Sequence, residues 1–260
     1  TPSLETYFNY KKGKINYLRL SKRFGNAKYP NVHLVDMLKE QKETGKFGQI
    51  ISGLLQDKIE NRLEKNEQII LIHNRRGYSP IISCADCGEI LNCYQCKVSL
   101  TYHQSNNKLI CHYCGFNEVF KQRNCSSCRS NNMIHRGTGT QKVEFFLNKI
   151  FCDATIARID NDTSRSHGVT STLKSFSSGE IDILIGTQMI AKGLDFPNTT
   201  LVGIVNSDLG LYLPDFRSGE RIFQLIYQAS GRAGRKNKPG EVVIQSYVPE
   251  NEIISMASRL

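Results

Sequence analysis

The chain has 260 residues, 39% hydrophobic and 22% charged, a balance that suits one large or two modest core-forming domains and excludes a disordered tail or a mini-protein. No apolar run approaches the roughly 18–20 residues of a membrane span, and the opening TPSLETYFNY has neither a secretory pattern nor a Met, so a cytoplasmic fragment of a longer chain, with no membrane partner, is expected. A formal charge of +10, from 34 Lys and Arg against 24 Asp and Glu, points to an anionic partner, nucleic acid first.

The surplus sits at the start. Residues 1–65 carry 13 basic and 7 acidic side chains, whereas residues 134–260 carry 14 and 13. The first periodic segment runs from Phe47 to Leu63, with apolar residues at 47, 50, 51, 54, 55, 59 and 63, and predicts a helix with one buried face. Ile69-Ile-Leu-Ile-His follows, a short apolar run that reads as a buried strand.

Eight of the nine cysteines then fall in four C-x-x-C pairs: Cys84/Cys87, Cys93/Cys96, Cys111/Cys114 and Cys125/Cys128. A C-x-x-C turn points two thiolates at one place, and two such turns complete the tetrahedral sulfur cage that Zn²⁺ prefers. A disulfide framework belongs to secreted chains, and a redox pair would be needed once, not four times. Two zinc ions are therefore expected. The four turns could combine sequentially, interleaved or nested; the Cys93-x2-Cys96-x14-Cys111-x2-Cys114 spacing is close to that of one zinc ribbon and favours the nested choice. With four protein thiolates at each ion no position is open for water, so both ions should be structural. His103 and His112 read as surface residues beside them.

Alternation resumes after the cysteines. Helices are expected at 140–150, 169–177 and 219–230, and strands at 154–159, 182–186, 200–206 and from Val242 to Tyr247. Helix and buried strand in turn imply an α/β fold with a mostly parallel sheet covered on both faces, into which the cysteine segment is inserted. Cys152, outside the cluster, reads as a small buried side chain. Ligand chemistry in such sheets collects beyond the carboxyl ends of the strands, and two stretches are assigned there: Gly186-Thr-Gln-Met-Ile-Ala-Lys-Gly-Leu-Asp-Phe-Pro197 and Gln228-Ala-Ser-Gly-Arg-Ala-Gly-Arg235. The second sets Arg232 and Arg235 among small residues that let another backbone or a phosphate come close, as a transferring phosphoryl group requires.

Gly193-Leu-Asp-Phe-Pro197 and the 228–235 octet resemble motifs V and VI of superfamily 2 helicases, which lie on the second of two RecA-like lobes. Together with Asn74-Arg-Arg-Gly-Tyr78, the four cysteine pairs, Arg158-Ile-Asp-Asn-Asp-Thr163 and Leu213-Pro-Asp-Phe-Arg217, they resemble the bacterial primosomal replication-restart DNA helicases across nearly the whole chain. That resemblance implies an ATP-driven 3′ to 5′ helicase that recognises forked or single-stranded DNA at stalled forks, promotes primosome assembly, and works with primosome and single-strand-binding proteins. It implies a connecting segment at 1–46, a RecA-like lobe at 47–83 and 134–249, a zinc-binding insertion at 84–133, and the start of a further region at 250–260. Arg235 and Arg232 would reach the ATP phosphates; Gln228, Gly193 and Asp195 would contact the nucleotide; Thr187, Gln188 and Lys192 would couple to DNA. The nested cysteine sets are implied as well, Cys84, Cys87, Cys125 and Cys128 at one ion and Cys93, Cys96, Cys111 and Cys114 at the other.

No G-x-x-x-x-G-K-[ST] phosphate loop and no D-E-x-H magnesium motif occurs in these residues. The first lobe and its ATP and Mg²⁺ chemistry are thus expected elsewhere, and this chain alone is not expected to hydrolyse ATP. The competing expectation is a zinc-ribbon nucleic-acid-binding or adaptor module on an inert scaffold, which has no need of motifs V and VI. Eight thiolates and two Zn²⁺ would bring the formal charge of +10 down to about +6, leaving residues 1–65 as the segment suited to phosphate.

Overall fold

The computed structural model describes residues 2–18, 29–46, 48–73, 81–103, 106–136, 139–159, 168–190, 196–213, 215–234 and 238–259, without the side chains of 135 and 136. Its centre is a six-stranded parallel sheet built from β1 (Asn31–Asp36), β2 (Gln68–His73), β8 (Ile156–Ile159), β9 (Ile183–Gly186), β10 (Thr199–Asn206) and β11 (Glu241–Ser246), in the order β1-β11-β10-β2-β9-β8. The expected parallel α/β architecture is present.

Successive residues of each central strand serve opposite faces. Ile70, Ile72, Leu184, Val202, Ile204, Val242 and Ile244 face α5 (Gly168–Ser178), α6 (Ser218–Ser230) and α7 (Glu252–Ser258). Ile69, Leu71, Ile183, Ile185, Leu201 and Val243 face α3 (Gly53–Glu64) and α4 (Thr140–Ile150). With both faces buried, the strands read as continuous apolar runs, which is why β2, β9, β10 and β11 were legible. Gly203 breaks the run because the helix packs there: a Cβ would sit 2.6 Å from Leu71 and 3.0 Å from Leu55.

Several boundaries differ from expectation. The helix predicted from Phe47 begins only at Gly53, where the Ser52 hydroxyl accepts the Leu55 N–H at 3.2 Å and caps it. Buried Gln245 fixes that helix end: its carbonyl accepts the Ser52 N–H at 2.7 Å and its amide donates to Ile50 and Val205 at 2.8 Å. Residues 31–44, assigned to a connecting segment, supply β1 at the sheet edge and α2 (Met37–Thr44), capped by Asp36. At the other end α7 belongs to the lobe, with Ile254 and Ala257 buried in its core. Cys152, expected buried, is exposed.

The insertion leaves the lobe after β2 and carries its own small sheets. β3 (Ile81–Cys84) pairs antiparallel with β7 (Met133–Arg136) as a stem, so the insertion starts a few residues before Cys84. Beyond the stem, β4 (Thr101–His103), β5 (Lys108–Ile110) and β6 (Asn117–Val119) form a three-stranded antiparallel sheet.

Candidate metal centres and the two edges of the lobe

Each C-x-x-C pair folds into the same turn. The residue after the second cysteine donates its N–H to the carbonyl of the first: Gly88 to Cys84 at 3.0 Å, Lys97 to Cys93 at 2.9 Å, Gly115 to Cys111 at 2.9 Å, and Arg129 to Cys125 at 3.0 Å. The first cysteine's own N–H reaches one residue further, to Glu89, Val98, Phe116 and Ser130 at 2.7–2.8 Å. All four turning residues have positive φ, 80° and 78° at the two glycines and 58° and 62° at Lys97 and Arg129. Backbone hydrogen bonding thus aims both thiols of each turn to one side.

The turns gather in the nested arrangement. Cys84, Cys87, Cys125 and Cys128 form one group, and Cys93, Cys96, Cys111 and Cys114 the other, with all sulfurs in a group within 4.8 Å of one another. Sulfur separations of 3.5 Å for Cys84–Cys128 and Cys87–Cys125, and 3.7 Å for Cys93–Cys114, are far too long for a disulfide. They match a tetrahedral ion whose metal–sulfur bonds of about 2.3 Å set neighbouring sulfurs roughly 3.8 Å apart. In both groups the first cysteine of each turn is buried, while the partners, Cys87 and Cys96, Cys114 and Cys128, are half-buried or exposed.

Electrostatics fit a cation. The Cys96 amide, and with it that of Gln95, overcomes burial at Cys93 and lowers its pKa to about 7. At Cys125 burial opposes ionisation, but the amides of Cys128 and Ser127 bring the pKa down to about 7 as well. Burial and the crowding of neighbouring thiols push Cys87 and Cys96 up to about 12. Thiols held that high become thiolates only beside a positive ion. His103 and His112 stand outside both groups, with their Nε2 atoms 3.2 Å apart.

The remaining candidate residues divide between the two ends of the sheet. Thr187 is buried just beyond the carboxyl end of β9, followed by half-buried Gln188. Further along, Ile190 and Phe196 are buried in the cluster on the α6 face, and β10 begins at the amino end of the sheet at Thr199. Residues 228–234 of the octet, assigned from sequence to the carboxyl side, lie at that amino end. Helix α6 runs against the strands and carries half-buried Gln228 near its end. Beyond it the Gly234 N–H donates to the Thr199 carbonyl at 3.2 Å, and the Gly240 carbonyl accepts from Asn31 at 2.9 Å. A Cβ on Gly234 would lie 2.4 Å from the Gly240 nitrogen, so it is another backbone that the small residues admit. Arg232 is half-buried beside this crossing. Lys192, Gly193, Asp195 and Arg235, like Asn74–Tyr78 and Asp160–Thr163, lie outside the described residues.

Sequence reasoning missed the ionic network at this amino end. Glu241 accepts from Lys58 at 2.6 Å and from Arg62, with His33 at 3.5 Å. Glu67 meets Arg62 at 3.7 Å, Lys238 at 3.4 Å and the Thr200 hydroxyl at 2.7 Å. Burial works to raise the Glu241 pKa, yet Lys58 and Arg62 outweigh it and hold the carboxyl below its usual range. Asp208 was also unassigned. It is buried after β10 and accepts from Ser246 and the Tyr247 N–H at 2.6 Å, so it joins the ends of two strands.

The model of the helicase conserved C-terminal domain matches residues 125–237, and that of the PriA DNA helicase Cys-rich region matches residues 93–118. Proteins named replication restart protein PriA align over almost the entire chain. The Bacillus subtilis protein is 45% identical over 257 residues, covering 98% of this chain and 32% of its own length. Those of Chlamydia pneumoniae and Haemophilus influenzae are 42% and 41% identical, covering 100% and 98% of this chain and 35% and 34% of their own lengths. This chain thus spans about a third of the relatives it matches. Among solved structures, the Pyrococcus furiosus Hef helicase domain aligns over 85% of this chain and 30% of its own at 16% identity and a TM-score of 0.37. RecG bound to a three-way DNA junction aligns over 92% of this chain and 21% of its own at 13% identity and a TM-score of 0.45.

Proposed function

Because this chain carries PriA-type helicase sequence along nearly all of its length, we propose that it is the second motor lobe and zinc module of an ATP-dependent 3′ to 5′ DNA helicase that acts at stalled or branched forks and promotes primosome assembly. One observation carries the reading: the 45% identity is taken over 257 residues, 98% of the chain, a span that includes both the parallel lobe and the eight-cysteine insertion. A binding module on an inert scaffold would have no reason to keep both.

In this reading each cysteine group holds one Zn²⁺, which supplies folding free energy and no catalysis. A reducing, cytoplasmic setting keeps the thiols available. Thr187 and Gln188, with Lys192, meet DNA at the carboxyl edge. Arg232 stands at the opposite edge, where an ATP held with Mg²⁺ by a first lobe would present its phosphates; Arg235 joins it there in this reading, and Gln228, Gly193 and Asp195 contact the nucleotide. Between Gly186 and Thr199 the chain passes from one edge to the other, with Ile190 and Phe196 buried in the core. This stretch is suited to carry a change at the DNA side to the arginine side. With no phosphate loop of its own, the chain alone does not hydrolyse ATP.

The test is to replace the matching third of the Bacillus subtilis relative with this chain and measure DNA-stimulated ATP hydrolysis and fork unwinding. The expected hybrid is active, and Arg232→Ala or Arg235→Ala lowers its ATPase rate about a thousandfold, as loss of an arginine that stabilises phosphoryl transfer does. A folded, zinc-loaded hybrid without ATPase activity would favour the adaptor reading instead.

A further inference from the structure

Arg232 is delivered by α6, and both ends of that helix are tied down. At its start Glu220 accepts the Leu4 N–H of α1 (Leu4–Lys11) at 3.1 Å, and Arg221 pairs with Asp215 at 2.8 Å. At its end the Arg232 N–H donates to the Ala229 carbonyl at 2.9 Å, and Ala233 is fully buried. The next residue has less to hold it. Gly234 has no side chain to pack, and its bond to Thr199, at 3.2 Å, is at the long end of the range.

A second tie comes from the bend between α3 and β2. Lys238 donates to the Asn198 side chain at 2.8 Å and lies 3.4 Å from Glu67. Glu67 also accepts the hydroxyl of buried Thr200 at 2.7 Å. Its own backbone is fixed, because its N–H donates to the Arg62 carbonyl at 2.9 Å. Asn198 is held by the same bend, through the Asn66 carbonyl at 3.1 Å and the Gln68 N–H at 3.0 Å. One carboxylate thus joins the start of β10, which receives Gly234, to the chain that returns at Gly240.

Magnitudes indicate what this tie is for. The Lys238 side chain is 43% exposed, and an ion pair of that kind adds little to stability. Placement of a catalytic group is far more sensitive, since a shift of about 1 Å costs about a hundredfold in rate. We propose that Glu67 is a positioning residue for Arg232: through Thr200 and Lys238 it holds the segment after α6 against the start of β10, and so sets the guanidinium toward the transferring phosphoryl group. The proposal rests on the reading of Arg232 as a phosphate contact.

Two measurements test it. In the zinc-loaded chain, Glu67→Ala or Lys238→Met should strip the Gly234 amide of its protection from hydrogen exchange, while β2 and β9 stay protected. In the hybrid with the Bacillus subtilis relative, each should lower kcat about tenfold to a hundredfold with KM for ATP unchanged. Glu67→Gln, which keeps an acceptor for Thr200 and Lys238, should restore most of the rate. A residue that acts through Arg232 has no effect once Arg232 is gone, so Glu67→Ala added to Arg232→Ala should leave the residual rate where it was. A purely structural Glu67 would instead lower the rate by the same factor in both backgrounds, and that result would overturn the proposal. So would a parent-like kcat, or parent-like protection of Gly234, in both single variants. Lys238→Met, at a partly exposed site, keeps the test intact should Glu67→Ala fail to fold. A hybrid inactive with every residue in place would remove the phosphate reading and the proposal with it. Exchange in the chain alone would still show whether Glu67 holds the loop, so the two failures are told apart.

Discussion

Two layers of buried aliphatic side chains enclose the six-stranded sheet of the lobe, whereas the insertion buries eight residues in its own cluster, and four of those are the cysteines Cys84, Cys93, Cys111 and Cys125. The lobe has a core that excludes water over both faces of a sheet, and its strands are apolar from end to end. The insertion has strands of three or four residues and turns that repeat one hydrogen-bond pattern. An apolar core tolerates the loss of one contact in proportion to the volume removed, but a four-thiolate cage loses its ion when the set is broken. Perturbations should therefore separate the two regions sharply.

Metal removal should have the largest effect. Structural zinc contributes on the order of 10 kcal/mol to small domains, more than this cluster can replace. A strong chelator should abolish protection of the amides in residues 81–136 from hydrogen exchange while those of β2, β9 and β10 stay protected. The converse perturbation is Leu71→Ala, which removes a fully buried side chain between the sheet and α3 and should cost the lobe about 2–5 kcal/mol. Its melting transition should fall while two zinc ions per chain remain bound.

The ionic network at the amino edge offers a smaller, pH-dependent contrast. Glu241→Gln leaves Arg62, which is only 8% exposed, with Glu67 at 3.7 Å as its remaining carboxylate, and should cost somewhat less than the about 3 kcal/mol at the low end for a broken buried pair. The folded-state pKa of Glu241 is lowered, so its contribution is present above the ordinary value near 4.5 and is lost as pH falls through the depressed one. Urea titrations of parent and variant should accordingly converge in acid and diverge toward neutrality. The smallest effect belongs to the turns. Gly88→Ala puts a Cβ at a φ of 80° and should weaken metal retention by about 1 kcal/mol, near fivefold, whereas Lys97→Gly should strengthen it by a comparable amount. Competition with a chromogenic chelator measures both.

The same contrast explains what could be read in advance. Strands covered on both faces announce themselves as apolar runs, and cysteine pairs announce themselves by spacing, so the lobe centre and the nested cages were legible. Strand β1 was not. It lies at the sheet edge, is nearly all half-exposed, and its sequence Asn-Val-His-Leu-Val-Asp gains a partner only through β11, more than 200 residues away. The start of α3 was misplaced because Ile50 and Ile51 continue the helical spacing although Ser52 supplies the cap. The octet was put at the wrong edge because its residues carry no mark of chain direction. Only the antiparallel run of α6 against the strands brings Arg232 to the amino end.

The most direct test of this division is native mass spectrometry of the reduced protein combined with thiol alkylation. Two zinc ions per chain are expected, with alkylation confined to Cys152, the one cysteine of nine outside the two groups and exposed. After chelation all nine thiols should react while the lobe keeps its far-ultraviolet signal. One ion or none, or alkylation at any of the eight grouped cysteines in the zinc-loaded protein, would contradict a module held by two four-thiolate cages.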